Sequence, residues 1–205
     1  YLVSHLRMEG KYFIKDKILP IEKHDHIIFY LNDNTTLRYH DTRKFGRMNL
    51  VLKSDIDKVE GVRKQGIEPI DDSLSKEYLY ENFGKRKLPM KTLLLDQTII
   101  SGLGNIYADE VLFASKINPL KLGSEITIDE CDRIVKSSKE IIKEAIKCGG
   151  TTIKSYTSSL GVTGRFQQNL MAHKRENEPC KKCDTMIKRI VVGGRSTYYC
   201  ENCQK

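Results

Sequence analysis

An α+β fold spread over more than one domain is predicted by three features of this 205-residue sequence. Residues 1 to 53 hold short runs of β-branched and aromatic side chains, the middle holds capped segments of helical periodicity, and residues 180–203 hold two C-x-x-C pairs. The chain is long enough to bury a core, which argues against disorder as the dominant state. Lys and Arg total 35 against 27 Asp and Glu, a net charge of +8 that points to an anionic partner, nucleic acid ahead of membrane. The longest apolar run, Ile27-Ile28-Phe29-Tyr30-Leu31, is far short of the roughly 20 residues of a membrane helix.

Strands are expected at Leu2 to Arg7, Tyr12 to Lys15, His26 to Leu31, Thr36 to His40 and Arg47 to Leu52, with Asn32-Asp33-Asn34 as a hairpin turn. A polar stretch follows, and Gly66-Ile-Glu-Pro69 reads as a linker into helical sequence. Helices are expected over 75–88, over 91–100 and from the turn at Gly102 onward. The strongest runs from Thr127 to Cys148: Thr127-x-x-Glu130 is a capping box, Ile134, Val135, Ile141, Ile142, Ala145 and Ile146 share a face, and Gly149-Gly150 stops it.

Two C-x-x-C knuckles sixteen residues apart, Cys180 with Cys183 and Cys200 with Cys203, match a four-thiolate zinc site. The rival reading, two disulfides of a secreted chain, lacks a signal peptide or a wider cysteine framework, so a reducing cytoplasm is expected. Between the knuckles, Thr185 to Val192 and Arg195 to Tyr199 flank Gly193-Gly194 as a β-hairpin. So small a module depends on its single structural Zn2+. Residues 165–205 carry nine basic and four acidic side chains, +5 before zinc and its thiolates lower it to about +3. Cys131 and Cys148 read as buried small hydrophobes without chemistry.

Gly102-Leu-Gly-Asn105 opens a helix and offers free backbone N–H groups to an anion, although alone it reads equally as a structural turn. No Walker lysine or dinucleotide context accompanies it, which disfavours nucleotide binding. Arg43-Lys-Phe45-Gly-Arg47 sets cations around an aromatic, as phosphate contact with base stacking requires, or else forms a solvated turn over a buried Phe45. His24 and His26 are expected to hydrogen-bond rather than bind metal. Residues 149–170 form a long Gly/Ser/Thr loop, either a cover for a polar ligand or a linker.

Taken in order, His5-Leu-Arg-Met8-x-Gly, Glu22-Lys-His24-Asp-His, Asp41-x-Arg43-Lys-Phe45-Gly, Gly102-x-Gly-Asn105-Ile-Tyr, Gly164-x-Phe-Gln and the cysteine hairpin ending Cys203-Gln-Lys resemble the bacterial formamidopyrimidine-DNA glycosylase family along the whole chain. That resemblance implies the remainder of an N-terminal β-sandwich (1–66), a helix-two-turn-helix DNA-binding domain (67–170) and a zinc-finger hairpin (171–205). It implies excision of oxidised purines, such as 8-oxoguanine and formamidopyrimidines, from double-stranded DNA by base flipping, followed by abasic-site lyase chemistry, in a monomer that does not bind membranes. Met8, Arg43 and Phe45 match the side chains that fill the gap left by the flipped nucleotide. His24, Arg43, Arg86, Lys91, Asn105 and Arg195 match DNA-contacting positions, and Arg195 also matches the arginine tied to the second elimination as proton donor. Thr151, Ser155, Tyr156, Thr157, Gly164 and Phe166 fall in the lesion-capping loop.

The same resemblance calls for an amino-terminal proline nucleophile beside a glutamate, and an early lysine, none of which is found here. The chain opens at Tyr1 in what reads as a strand, so it is expected to be a catalytically incomplete portion that binds DNA without excising. A non-catalytic zinc-ribbon DNA-binding or assembly protein is the alternative. It accounts for charge and cysteines but not for the Met8, Arg43 and Phe45 set.

Overall fold

Five short strands open the chain. In the computed structural model, which describes residues 1–151 and 164–205, β1 (Leu2–His5) pairs antiparallel with β5 (Arg47–Leu50), while β2 (Lys11–Asp16), β4 (Thr35–His40) and β3 (Asp25–Tyr30) form a second sheet with β4 central. Within these sheets His5 lies opposite Arg47 and Lys11 opposite His40. The Tyr12 hydroxyl ties the sheets together, donating to Ser4 Oγ at 2.8 Å. The Asn32 to Asn34 turn closes as expected: Asn34 takes φ 63° and the Thr35 N–H donates to Asp33 Oδ1 at 3.0 Å.

Central strands bury their side chains, and β4 shows what this costs when one is charged. Arg38 is 1% exposed, and its guanidinium donates to the carbonyls of Pro20 and Leu19, both at 2.7 Å, to that of Asp16 and to Thr36 Oγ1, with Asp25 3.5 Å away. A buried cation is tolerable only when its donors are met in this way.

By internal packing the chain divides into Tyr1–Val62 with Gly149–Gln167, and Arg63–Cys148 with Gln168–Lys205. After a short helix α1 (Glu60–Arg63), the second unit contains α2 (Lys76–Phe83), α3 (Met90–Leu94), α4 (Asn105–Ala114) and α5 (Ile128–Lys147), then the hairpin of β6 (Lys188–Val192) and β7 (Arg195–Tyr199). Ser75 caps α2 by accepting from the Tyr78 N–H, and Thr127 and Glu130 exchange the bonds of a capping box at α5. Leu79, Phe83, Leu93, Leu94, Val111, Leu112 and Ile134 meet in one core.

Three expectations are corrected here. The helices over 75–88 and 91–100 are shorter: α2 gives way at Gly84, Pro89 caps α3, and Asp96 Oδ1 draws the Thr98 N–H into a local turn that competes with the helix. Gly66 does not begin a free linker, because its N–H donates to the Gln97 carbonyl at 2.8 Å and a Cβ there would come within 2.4 Å of the Ile99 backbone. Cys148 ends α5 half-buried, whereas Cys131 is fully buried as expected, its thiol pushed up to about 12 by burial.

Candidate nucleic-acid interface and metal centre

The hairpin turn has both glycines at positive φ, 55° at Gly193 and 74° at Gly194, as a two-residue turn of the primed type requires. At the open end of the hairpin the four thiols converge: Cys183 Sγ lies 3.4 Å from both Cys200 and Cys203 Sγ, and Cys180 Sγ lies 3.9 Å from Cys203 Sγ. A zinc–sulfur tetrahedron with bonds of about 2.3 Å has edges of about 3.8 Å, so the set fits one structural Zn2+. Among the described residues, Glu22, Asp25 and His40 also lie close together, but Lys15 pairs with Glu22, Arg38 faces Asp25, and His40 Nδ1 is 2.9 Å from Asp25 Oδ1. That group is an ion-pair network already furnished with cations. Burial raises the Asp25 carboxyl, yet the bonds from His40 and the Glu22 N–H, with Lys15 and Arg38, hold it below its ordinary value.

Met8 and the Arg43 to Phe45 stretch sit on two connections, β1 to β2 and β4 to β5. Both cross between the sheets at the same edge, because β1 pairs with β5 and β2 with β4. Met8 is 72% and Phe45 53% exposed, and the Arg43 guanidinium stacks 4.7 Å from the Phe45 ring centroid. The reading that buried Phe45 in the core is therefore overturned. Asp41, 1% exposed, shapes the turn beneath: Oδ1 accepts from the Arg43 N–H at 3.0 Å, and Oδ2 accepts from the Gly46 N–H at 3.0 Å and the Tyr39 hydroxyl at 2.7 Å. Burial opposes ionisation of Asp41, but these donors and the Lys44 N–H win and hold it at about 2.

In the second unit α4 begins at Gly104 with no side-chain cap hydrogen bond at its N-terminus. Gly102 has φ 84°, and a Cβ on Gly102 or Gly104 would meet nothing within 4 Å, so the approach is unobstructed. Asn105 is not wholly free, since its Nδ2 donates to the Ser196 carbonyl of β7 at 2.9 Å. Arg195 is exposed; its carbonyl accepts from the Thr197 hydroxyl at 3.1 Å, while its guanidinium makes no hydrogen bond or ion pair among the described residues. It stands at the edge of a cavity of about 270 Å³ that Leu88, Thr92 and Val192 also line.

Lys91, which the resemblance matches to a DNA-contacting position, lies in the interior. It is 0% exposed, and its Nζ donates to Asp109 Oδ1 at 2.6 Å and to the Asn105 carbonyl at 2.8 Å. Burial drives its ammonium below the ordinary value, against the pull of Asp109. Asp109 Oδ2 lies 2.6 Å from His173 Nδ1, and the Glu110 carboxylate accepts from the N–H groups of Met171, Ala172 and His173. No local motif in the sequence points to this bracket. Its trace there is only a pair of adjacent acids in an otherwise apolar helix.

Models of the formamidopyrimidine-DNA glycosylase N-terminal domain, of its H2TH domain and of a zinc finger found in FPG and IleRS match residues 1–48, 65–157 and 177–205. The formamidopyrimidine-DNA glycosylase of Desulforamulus reducens is 44% identical over 204 residues, covering 100% of this chain and 74% of the relative; that of Ligilactobacillus salivarius is 47% identical over 206 residues, covering 99% and 74%. The chain belongs to the formamidopyrimidine-DNA glycosylase family. Among solved structures, Lactococcus lactis Fpg in complex with DNA containing an abasic site superposes with a TM-score of 0.90 at 38% identity, and its complex with Fapy-dG DNA with 0.89 at 37%; each match covers 100% of this chain and 74% of the other.

Against the family's expected site, the structure brings Met8, Arg43 and Phe45 to adjoining turns of one unit, and Asn105 and Arg195 to the other. His24 is half-buried, its ring 5.7 Å from that of His40 and 6.3 Å from that of His26. His26 is occupied by the Asp41 carbonyl at 2.8 Å, the hydrogen bonding expected of it. Arg86 is partly exposed and pairs with Asp96 at 2.9 Å. Of the capping-loop residues, Ser155, Tyr156 and Thr157 lie outside the described residues. Thr151 bridges to Arg165 at the base of the loop, while Gly164 and Phe166 are buried there rather than presented to a ligand. No helix among the described residues is long and apolar enough to cross a membrane.

Proposed function

We propose that this chain is the lesion-reading part of a base-excision glycosylase and abasic-site lyase acting on oxidised purines in duplex DNA. The observation that carries the reading is the exposed Arg43–Phe45 stack on the turn beside Met8. Exposing two large apolar side chains and a stacked cation on adjoining turns gains nothing for folding, whereas a planar and an apolar wedge can fill the space a flipped nucleotide leaves. The start of α4 at Gly104, the remaining Asn105 amide proton and Arg195 supply phosphate contacts that fix register on the duplex. Arg195, unpaired and cationic, also suits the developing charge of a phosphate leaving group in the elimination.

Glycosidic cleavage through an imine needs an unprotonated amine near the sugar C1′. Pro20, Pro69, Pro89, Pro119 and Pro179 are all internal amides, and the Lys91 amine is buried against Asp109. The 205-residue polypeptide is expected to bind lesion-bearing duplex in preference to undamaged duplex. Affinity should be measured for an abasic-analogue duplex and an undamaged duplex, alongside borohydride trapping on 8-oxoguanine DNA. Preferential binding of the abasic-analogue duplex is the expected result. Equal affinity for both duplexes would favour a simple zinc-ribbon DNA binder, and a trapped adduct would identify another amine as nucleophile.

A further inference from the structure

Tyr39 occupies an unusual place in the first unit. It lies next to the last residue of the central strand β4, almost fully buried at 5% exposure, with its ring 5.6 Å from that of Tyr12. Its hydroxyl sits at the point where the two wedge-bearing turns meet. A Cβ on Gly46, at the end of the Arg43–Phe45 turn, would stand 1.7 Å from that oxygen, and one on Gly10, at the end of the Met8 turn, 2.9 Å from it. Gly46 is thus imposed by close approach to the Tyr39 ring and hydroxyl, and Gly10 by the same hydroxyl together with the Leu6 carbonyl, 2.5 Å from where its Cβ would stand. The hydroxyl donates its proton to Asp41, whose other bonds fix the Arg43 and Gly46 N–H groups. Burial, then the bond to Asp41, pushes the phenol up to about 12, so the proton stays on the oxygen at neutral pH. A second tie runs directly between the turns, from Thr42 Oγ1 to the Glu9 carboxylate.

Resting on the wedge reading above, we infer that the Tyr39–Asp41 pair is a positioning latch that holds the Met8 turn and the Arg43–Phe45 turn in a fixed mutual register, so that the three side chains enter the duplex together. Neither latch residue touches DNA; each acts through the backbone of the turns. An alternative role in general stability would spread its effect over all binding. A latch affects only the step in which the wedge enters the stack.

The 205-residue chain is mixed with a duplex that carries an abasic analogue opposite 2-aminopurine, whose fluorescence rises when it is unstacked. The wild-type chain should give that rise. Tyr39→Phe, which removes one oxygen and keeps the ring, should cut it by half or more, with affinity for undamaged duplex within about twofold and the far-ultraviolet circular dichroism unchanged. Asp41→Asn should do the same, and Phe45→Ala should abolish the rise. A full rise in both latch variants, with the rise lost in Phe45→Ala, overturns the latch alone. No rise with the wild type, or a full rise in Phe45→Ala, overturns the wedge reading and the latch with it.

Discussion

The two units mount their functional groups in opposite ways. In the second, the start of α4 is backed by a continuous apolar core and held from below by buried charge, with Lys91, Asp109 and Glu110 all at or near zero exposure. In the first, Met8, Arg43 and Phe45 stand on short turns over little apolar packing, fixed instead by a handful of polar bonds around Tyr39 and Asp41. On the proposed reading, phosphate is to be held by backbone groups that must not move, and a helix end set in a core suits that task. A wedge must stand clear of the protein to enter a base stack, and side chains that stand clear cannot be held by their own burial. They can be held only through their backbone, by directional bonds to the turn beneath.

Removing zinc should break the second unit most severely, since structural zinc contributes on the order of 10–16 kcal/mol of apparent binding free energy in small fingers. A strong chelator should melt the β6–β7 hairpin and weaken DNA binding at least tenfold, read by amide NMR and by titration with duplex. Unchanged affinity would exclude the hairpin from the interface. Asp109→Ala comes next, because it strands the Lys91 ammonium in the core. A loss of about 3–5 kcal/mol in urea unfolding is expected, and a loss below 1 kcal/mol would mean that Lys91 escapes to solvent or sheds its proton cheaply.

In the first unit Asp41 is pH-sensitive. The Asp41 carboxyl is depressed from its ordinary 3.8 to about 2 in the folded chain, so its contribution is fully present above about pH 4 and is lost as the pH falls through about 2. Turn resonances of residues 41–46 should broaden over that window in the wild type, and Asp41→Asn should remove the pH dependence; a variant that kept it would place the titration elsewhere. The smallest stability effect is expected from Phe45→Ala: an exposed side chain should change unfolding by no more than about 0.5 kcal/mol, while preference for an abasic duplex over an undamaged one disappears. A larger stability loss would show Phe45 packing that its 53% exposure does not suggest.

Much of this was legible from local pattern. The strands, the Asn32–Asn34 turn, the capping box of α5, the glycine turn of the hairpin and the four thiolates all follow from short-range rules, in which each residue's neighbours in sequence are also its neighbours in space. Lys91 was not legible, because a lysine in a basic, polar stretch reads as solvated, and only the fold brings Asp109 to it from eighteen residues away. Phe45 could be read two ways for the same reason. Its fate depended on whether the turn beneath it faced a core or was fastened by Asp41.

The sequence by itself determined the element order, the metal and the family, since period, cap chemistry and cysteine spacing are local or ordered along the chain. Only the tertiary structure decided which cations are free to meet DNA and which are spent inside. It also showed that two turns more than thirty residues apart share one tyrosine hydroxyl, because burial and strand pairing are properties of contacts between distant segments.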